Sequence, residues 1–487
     1  MGLFGYTKQT PARAFLHPTE GFVLPASRRS ALALAVLVSL SCDRPSPISV
    51  SKLHVDSDYY TLANGLKVVL SRDTTAPTVG VGVYYHVGFR SEPKGRTGFS
   101  HLFEHLMFQG SANLGKLQFI KLIESNGGFL NGSTRFDFTN YYEVVPSNAL
   151  ETILWAEADR MRGLAIDASN VKNQQDVVKN EVRVNVLNQP YGSFPWIDLP
   201  MAANENWHNA HNFYGDLREL DAATVSDASA FFKSYYAPNN AVLCVVGDFE
   251  PAQAKQWIEK YFAAIPTAGH FTRDDVAEPP QTKEKRGSRT DALATRPAIA
   301  LGYHMPDRWT PDWYAMGLID QILGQGRDSK LYEALVQRAA LTSDVSAGVN
   351  WGLGNMFDYE GPMLWIVTVF HDRDKTPDAL LRVMDAEIDS LATTPVDSAT
   401  LARAKTKMRS ALYGFVDENA GLGRLNLLAS FALFDNDPTK INQLDDGFAA
   451  ITAAQIEKTA HAFLKRENRT VYTIVPGAKD TPAAGQP

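Results

Sequence analysis

Residues 101–105 read His-Leu-Phe-Glu-His, and the apolar spacing around them predicts a helix over residues 100–108. Successive residues of an α-helix turn by about 100°, so His101 and His105 lie about 40° apart on one face, with Glu104 beside them. Two imidazoles one turn apart can bind a single metal ion, and the carboxylate between them reaches the ion's open coordination position. A pair of hydrogen-bonded core histidines is the alternative interpretation.

The order His-x-x-Glu-His is a zinc-peptidase signature, and it supplies two metal ligands. A catalytic zinc site needs a third protein ligand and an open position for water. The chain has only two cysteines, Cys42 and Cys244, so histidine and carboxylate must hold the metal. A second predicted helix, at about 169–187, carries polar side chains that could complete or support the site: Gln174, Asp176, Glu181 and Asn185.

The chain repeats itself once. Asn239 and Asn468 each stand before an apolar strand, and a β-branched run that ends at residues 85–86 (Tyr-His) has a counterpart that ends at 303–304 (Tyr-His). Between the copies, residues 272–290 are charged, contain proline and show no apolar periodicity. Such a stretch is typical of a linker.

The predicted fold class is therefore α+β, with two homologous α/β-sandwich domains, each an antiparallel-rich sheet covered by helices. We expect the metal-binding domain at 52–270, a linker at 271–290, a second domain at 291–477 and a flexible tail at 478–487. The second copy has no histidine near 318–323, where the repeat places the metal-binding helix. We therefore expect the second domain to be structural and inactive.

The composition is that of a globular protein. Hydrophobic residues make up 45% and charged residues 21% of the 487 residues, which excludes disordered, collagen-like and polytopic membrane proteins. The length suits two to four domains. The formal net charge is -7, and no long block of lysine and arginine occurs, so we expect no nucleic acid partner.

Residues 1–41 predict an export signal. Arg28 and Arg29 precede an apolar run at 31–40, which is too short to cross a bilayer comfortably. Cys42 follows directly and suggests a lipoprotein-type cleavage that leaves it as the lipid-bearing first residue. The alternative is an incidental cysteine beside an ordinary cleavage site. We therefore expect an exported, periplasmic protein, and membrane attachment through a lipid on Cys42 is a further hypothesis.

Several features together resemble the insulinase/pitrilysin (inverzincin) family of zinc metallopeptidases. These are the motif, its spacing to the segment 180–183 (Asn-Glu-Val-Arg), the glycine-broken lead-in at 88–92 and the duplicated domains. The two-domain length is similar to the short branch of the family, which includes the mitochondrial processing peptidase subunits. The similarity covers residues 55–477.

The resemblance implies a zinc endopeptidase acting on oligopeptides or unstructured polypeptide segments. His101, His105 and Glu181 would bind one Zn²⁺ per chain, and Glu104 would be the general base. Gln174 stands where family members often have a second glutamate, and its amide would hydrogen-bond the metal ligands. Two alternatives stay open: a catalytically quiet scaffold subunit of the same fold, and a metal-dependent hydrolase of a non-peptide bond.

Residues 127–134 resemble the family's strand that pairs with the substrate backbone, with Gly132 where alanine is usual. Asn131 would then hold a substrate carbonyl near the zinc; an ordinary hairpin with an Asn-Gly turn is the alternative. In single-chain members the second half supplies an arginine and, seven residues later, a tyrosine, but Val336 and Ser343 stand at those places here. We therefore expect a heterodimer with a paralogous non-catalytic subunit, or otherwise a homodimer.

Overall fold

The computed structural model describes residues 52–269 and 273–477, so the predicted export signal, Cys42 and the C-terminal tail lie outside the described residues. Two β-sheets organise the described part of the chain. Their strands are β1 (Asp58–Thr61), β2 (Lys67–Arg72), β3 (Thr78–Tyr85), β4 (Phe129–Thr134), β5 (Thr139–Pro146), β6 (Ala241–Gly247), β7 (Lys285–Asp291), β8 (Ala298–His304), β9 (Ser346–Val349), β10 (Leu364–Phe370) and β11 (Arg469–Pro476).

Helices cover the faces of both sheets. They are α1 (Phe99–Leu106), α2 (Gln118–Ser125), α3 (Leu150–Arg162), α4 (Ala168–Val182), α5 (Asp198–Ala203), α6 (Trp207–Ala210), α7 (Leu217–Ala222), α8 (Val225–Tyr235), α9 (Pro251–Phe262), α10 (Pro311–Leu323), α11 (Lys330–Tyr332), α12 (Pro377–Thr393), α13 (Ser398–Val416), α14 (Leu422–Phe434), α15 (Leu444–Ala450) and α16 (Ala453–Phe463). π-Helical turns at Arg183–Leu187 and Glu333–Arg338 extend α4 and α11. Within the described ranges, no helix is both long enough and apolar enough to span a membrane.

The two sheets follow one plan. The strand order is β1-β2-β6-β3-β5-β4 in the first sheet and β7-β11-β8-β10-β9 in the second. Each sheet has a single parallel pair, β2 with β6 and β7 with β11, and its other neighbouring strands are antiparallel. The predicted fold class, two α/β sandwiches with antiparallel-rich sheets, is confirmed.

One hydrogen-bonded turn shows the repeat at single-residue detail. The side-chain amide of Asn240 donates to the carbonyl oxygen of His86 at 3.2 Å, and that of Asn468 donates to the carbonyl oxygen of His304 at 3.0 Å. Each asparagine thus ties the start of the closing strand to the end of its antiparallel neighbour. The equivalent of Asn468 is therefore Asn240, one residue after Asn239, the residue that the sequence pattern selects.

Each half of the chain packs a helix on the sheet of the other half. Leu425 on α14 packs against Gly80 and Gly82 of β3, where the missing side chains leave it room, and Leu199 on α5 packs in the same way against Gly302 of β8. The described residues accordingly form one compact unit with a shared core. The half of the chain that carries the His-x-x-Glu-His motif is thus supported by a helix of the second half.

The predicted linker at 271–290 is wrong at its C-terminal end. Strand β7 begins at Lys285 and pairs in parallel with β11, so the second sheet starts inside the stretch predicted as linker. β7 is an edge strand, and ion pairs rather than apolar contacts attach it to the first half: Lys285 with Glu205 at 3.1 Å and Arg289 with Asp198 at 2.9 Å. Charged edge strands lack the apolar alternation on which strand prediction depends.

A buried charge cluster supports the motif helix from behind. Arg160 lies 3.2 Å from Glu143 and also pairs with Glu157, and all three side chains are at most 1% exposed. The Arg160 guanidinium lies 5.0 Å from the ring centre of Tyr141, whose hydroxyl donates to the carbonyl oxygen of Phe103 on α1 at 3.1 Å. Two buried carboxyl groups therefore share one arginine.

Replacing Glu143 by glutamine is expected to stabilise the protein increasingly as the pH rises. Burial and the Glu157 carboxylate raise the pKa of Glu143 well above 4.5, whereas an unfolded glutamate ionises near 4.3. The stability that protonated Glu143 contributes is complete below about pH 4 and is lost as the pH rises through the raised pKa. Thermal unfolding at several pH values above about 5 should show a widening difference in Tm between E143Q and wild type, and a constant difference would contradict the raised pKa.

Candidate metal centre

Helix α1 begins where the lead-in segment caps it. Gly98 has a φ of 83°, a backbone conformation that glycine adopts without strain, and a Cβ there would lie 2.5 Å from the carbonyl oxygen of Tyr214. The buried carboxylate of Glu92 accepts hydrogen bonds from the backbone N–H groups of Gly98 and Ser100, each at 2.7 Å. Such bonds satisfy donors that have no partner inside the helix, and a negative charge is favourable at its N-terminus.

Three potential ligand atoms converge between α1 and α4. The Nε2 atoms of His101 and His105 lie 3.0 Å apart, and Glu181 Oε2 lies 3.5 Å from the first and 3.1 Å from the second. Both imidazoles are buried, at 4% and 6% exposure. Two imidazoles and one carboxylate form a donor set that suits a catalytic zinc ion, so the residues present fit the metal that the sequence predicts.

The electrostatics of the cluster favour a bound cation. Burial opposes a charge on Glu181, but hydrogen bonds and charge interactions with His101 and His105 outweigh burial and lower the pKa of Glu181 well below its usual range. Burial likewise opposes a charge on His101, yet Glu181 and Glu104 together raise its pKa. Glu181 is therefore ionised, as a metal ligand must be, and the carboxylates create a negative potential around His101 that favours a cation there.

Tyr214 fixes the carboxylate of Glu181, and sequence reasoning missed it. The Tyr214 hydroxyl donates to Glu181 Oε1 at 3.1 Å, which leaves Oε2 facing the histidines. The Tyr214 ring also lies 4.9 Å from the His101 ring and 5.8 Å from Trp196. Partners of this kind orient metal ligands and set metal affinity. Because Tyr214 is remote from the motif in sequence, no spacing pattern indicates it.

Glu104 is held by the edge strand of the first sheet. Thr134 on β4 donates from its hydroxyl to Glu104 Oε2 at 2.7 Å. Gly132, on the same face of β4, leaves space beside Glu104, because a Cβ there would lie 3.3 Å from Glu104 Cγ and 3.2 Å from the Tyr141 ring. The carboxylate is therefore oriented next to the three converging ligand atoms without being one of them.

Two family models match the chain: Insulinase (Peptidase family M16) at residues 67–193, and Peptidase M16 inactive domain at residues 222–408. The chain belongs to the insulinase (M16) peptidase family. The first match contains the motif and Glu181, and the second covers much of the second half. The recognition of this family from the motif, the spacing and the duplication is confirmed.

Relatives of similar length extend over most of the chain. The zinc protease PqqE of Helicobacter pylori is 25% identical over 85% of this chain and 92% of its own length, and a probable mitochondrial-processing peptidase subunit beta of Arabidopsis thaliana is 24% identical over 77% and 71%. A crystal structure of a protease from Helicobacter pylori superposes with a TM-score of 0.79 at 23% identity, over 87% of this chain and all of that one. The periplasmic protease PqqL from Escherichia coli has a TM-score of 0.69 at 19% identity, over 88% of this chain and 48% of that one.

The other two predicted site residues, Asn131 and Gln174, lie on β4 and α4. Asn131 is exposed on edge strand β4 and opposes Tyr142, so it faces away from the side of β4 on which Gly132 contacts Glu104. Its Oδ1 accepts a hydrogen bond from the N–H of Gly132 at 2.9 Å. Gln174 is buried on α4, two turns before Glu181. The substrate role of Asn131 and the supporting role of Gln174 stay predictions.

The second half has no equivalent of the metal cluster in its described residues. Helix α10 follows β8 as α1 follows β3, and it presents Asp320, which accepts hydrogen bonds from Trp365 and Gln325 at 2.7 and 3.0 Å. Burial raises the pKa of Asp320 to about 6.

At the places that the resemblance gives to the substrate-contacting pair, Val336 is partly buried against the core and Ser343 is exposed.

Proposed function

We propose that this member of the M16 family is a zinc-dependent endopeptidase that hydrolyses oligopeptides or unstructured polypeptide segments. The observation that carries the proposal is the convergence of His101, His105 and Glu181 within 4.8 Å of one another, beside Glu104. One Zn²⁺ per chain, held by these three residues, would supply the Lewis acidity that activates water at neutral pH. Relatives across most of the chain length are named zinc proteases.

The chain's own residues divide the work of the reaction. Glu104 would take the proton of the attacking water and pass it to the leaving amine, as a general base and then a general acid. The hydroxyl of Thr134 would keep Glu104 in position during both transfers. Tyr214 would hold Glu181 so that one carboxylate oxygen faces the metal position.

Strand β4 is the proposed binding site for the peptide backbone. It lies at the edge of the first sheet, and Thr134 near its end contacts Glu104. An exposed edge accepts an extended peptide as an additional strand, which recognises main chain rather than particular side chains. Asn131 on this strand is proposed to hold a substrate carbonyl, and Phe129, which is 48% exposed, would offer an apolar contact.

The experiment that tests the function is hydrolysis of an internally quenched peptide by the purified protein. We expect cleavage that stops when a chelator removes the metal and returns when about one equivalent of Zn²⁺ per chain is added. Binding of the peptide without cleavage would support the scaffold alternative instead. An intact, unbound peptide together with stoichiometric zinc would favour hydrolysis of a non-peptide bond.

We further propose that the active assembly is a heterodimer with a paralogous subunit that lacks the metal motif. The proposal is supported by the apolar Val336 and the small Ser343 at the places of the substrate-contacting arginine and tyrosine, because a homodimer would then lack that pair. A similar plant protein is named as one subunit of a processing peptidase. A homodimer is the alternative.

The isolated chain is expected to be about 10²–10³-fold less active than the assembled enzyme, because it lacks donors that stabilise the transition state. The measurement compares peptide turnover by the purified chain alone and by the chain co-expressed with its paralogue, at equal zinc content. Equal turnover in the two samples would contradict the heterodimer and indicate a self-sufficient homodimer.

We also propose export to the periplasm, with lipid attachment at Cys42. The proposal is supported by the apolar run before Cys42 and by a structural neighbour that is described as a periplasmic protease. Labelled palmitate is expected to enter the wild-type protein and not C42S. A mature wild-type chain that begins beyond residue 42 and carries no label would contradict lipidation but not export.

A further inference from the structure

The segment 88–92, which precedes the motif helix, also binds the turn of the β4–β5 hairpin at 135–138. The backbone N–H groups of Phe89 and Arg90 donate to carbonyl oxygens of this turn, each at 3.2 Å. Gly88 lies so close to the turn that a Cβ would come within 2.4 Å of its backbone. The segment and the turn therefore pack backbone against backbone.

A buried ion pair locks this contact. The Arg90 guanidinium donates to both carboxylate oxygens of Asp137 in the turn, at 3.0 and 2.9 Å, and the two side chains are 2% and 7% exposed. The guanidinium also lies 4.7 Å from the ring centre of Phe136. Both bonds come from one nitrogen, Nη1, so Nη2 can donate to a second partner, and the rigid guanidinium plane fixes the directions of both sets of bonds.

The second half of the chain holds the same pair. The backbone N–H groups of Glu360 and Gly361 donate to Asp137 Oδ2 at 2.8 and 3.4 Å, and the Arg90 guanidinium donates to the carbonyl oxygen of Pro362. A loop of the half without metal ligands therefore completes the surroundings of Arg90 and Asp137. No part of the metal cluster itself is contributed by this loop.

These contacts connect both components of the proposed active site. At one end of the segment 88–92, Glu92 caps α1, which carries Glu104. At the other end, the clamped turn fixes β4, whose Thr134 hydrogen-bonds Glu104. The segment thus sets the position of the edge strand relative to the motif helix. Contacts from the second half stabilise this arrangement.

We propose that Arg90 and Asp137 are positioning residues through which the inactive half aligns the substrate-binding edge strand with the motif helix. The kinetic consequence of this inference rests on the proposed peptidase function, but its structural consequence does not. A displacement of about 1 Å at the site of reaction can cost about 10²-fold in rate. The second half would accordingly contribute to substrate alignment, in addition to its contribution to the core.

The Arg90–Asp137 pair is called the clamp. The test compares two variants of the clamp with a matched control in the full-length, zinc-loaded protein. D137N removes one charge of the pair, and R90K keeps the charge but loses the planar guanidinium that joins Asp137 to the carbonyl oxygen of Pro362. The control D435N disrupts a comparably buried pair with Arg308, 3.1 Å apart and 7% and 10% exposed, which lies wholly in the second half. Hydrogen exchange of β4 and β5, zinc content and Tm are measured for each protein.

Both clamp variants are expected to retain one zinc per chain while the amides of β4 and β5 exchange about 10-fold faster or more. D435N should lower Tm without this local change. Peptide binding is measured in the E104Q background, in which the proposed general base is replaced so that the peptide stays intact. There, the Kd of a fluorescein-labelled peptide that the wild type cleaves should rise about 10-fold with D137N or R90K. If D137N does not fold, R90K decides the question.

Unchanged exchange of β4 and β5 in the folded clamp variants would overturn the proposal, and so would equal acceleration in D435N. Faster exchange of the β4 and β5 amides with an unchanged peptide Kd would also overturn it, because the clamp would then have no effect on how the strand is aligned for peptide binding. A wild type that binds zinc and cleaves no peptide would refute the proposed function instead, and the exchange data would still decide whether the clamp fixes the strand.

Discussion

The Glu104→Gln protein is expected to bind one zinc ion per chain and to cleave peptides about 10²–10⁴-fold more slowly than the wild type. Glutamine has the same size and can still accept the hydrogen bond that Thr134 donates at 2.7 Å, so the local structure should persist. It cannot take a proton from the attacking water, so the reaction loses its general base. The measurement is kcat on an internally quenched peptide, with zinc content determined on the same preparation.

A matched control for this variant is Glu124→Gln, which makes the same chemical change at an exposed position on α2. It should leave both kcat and zinc content unchanged. Wild-type turnover by the Glu104 variant would contradict the general-base assignment. Loss of zinc from that variant would instead make Glu104 a metal ligand.

Replacing Glu181 by glutamine is expected to weaken zinc binding by more than about 100-fold and to abolish peptidase activity with it. The reason is that the carboxylate provides the negative charge of the cluster, and an amide has none. Tyr214→Phe should weaken zinc binding by only about 10–100-fold, because it removes a hydrogen bond to Glu181 and leaves the three ligands in place. Competition titration with a chromogenic chelator measures the zinc Kd of each variant.

Asp176→Asn is the control on the same helix. Asp176 is exposed and pairs with Lys172 at 2.9 Å and Lys179 at 3.0 Å, so its loss should not change the zinc Kd. Stoichiometric, tight zinc in the Glu181→Gln protein would contradict the assignment of the third ligand. In that case Asp176, a second carboxylate on α4, would be the first alternative to examine.

The part of the site that lies within one helix could be predicted from sequence, because helical periodicity alone places His101, Glu104 and His105 on adjacent positions of one face. Periodicity could not choose Glu181 among the polar residues of α4. That choice needed the resemblance to a known family, and the structure brings Glu181 within 3.5 Å of both imidazoles. Helical periodicity therefore predicts His101 and His105, whereas the resemblance to the family predicts Glu181.

Two of the supporting residues, Glu92 and Tyr214, could not be predicted, because they meet the motif only through tertiary structure. Glu92 and Tyr214 approach α1 and α4 from segments that have no periodic relation to the motif. For Thr134 a signal existed: strand alternation puts it on the same face as Gly132 and opposite to Asn131. That alternation favours Thr134 over Asn131 as the β4 side chain nearest to Glu104.

The duplicated architecture was predictable because apolar strands and their preceding turns recur in both halves. The position of the boundary was not, because β7 is a polar edge strand held by ion pairs to α5 and to Glu205. Each half packs a helix on the sheet of the other half, and this too cannot be recognised from local sequence. Leu425, which packs on β3 of the other half, has the pattern of an ordinary core residue.

The most direct test of the central claim is the position of zinc in crystals of the zinc-loaded protein, located by anomalous diffraction at the zinc absorption edge. We predict one strong peak per chain, about 2.0–2.2 Å from His101 Nε2, His105 Nε2 and a carboxylate oxygen of Glu181. A protein that takes up stoichiometric zinc but shows its peak elsewhere, or shows none between α1 and α4, would contradict the account.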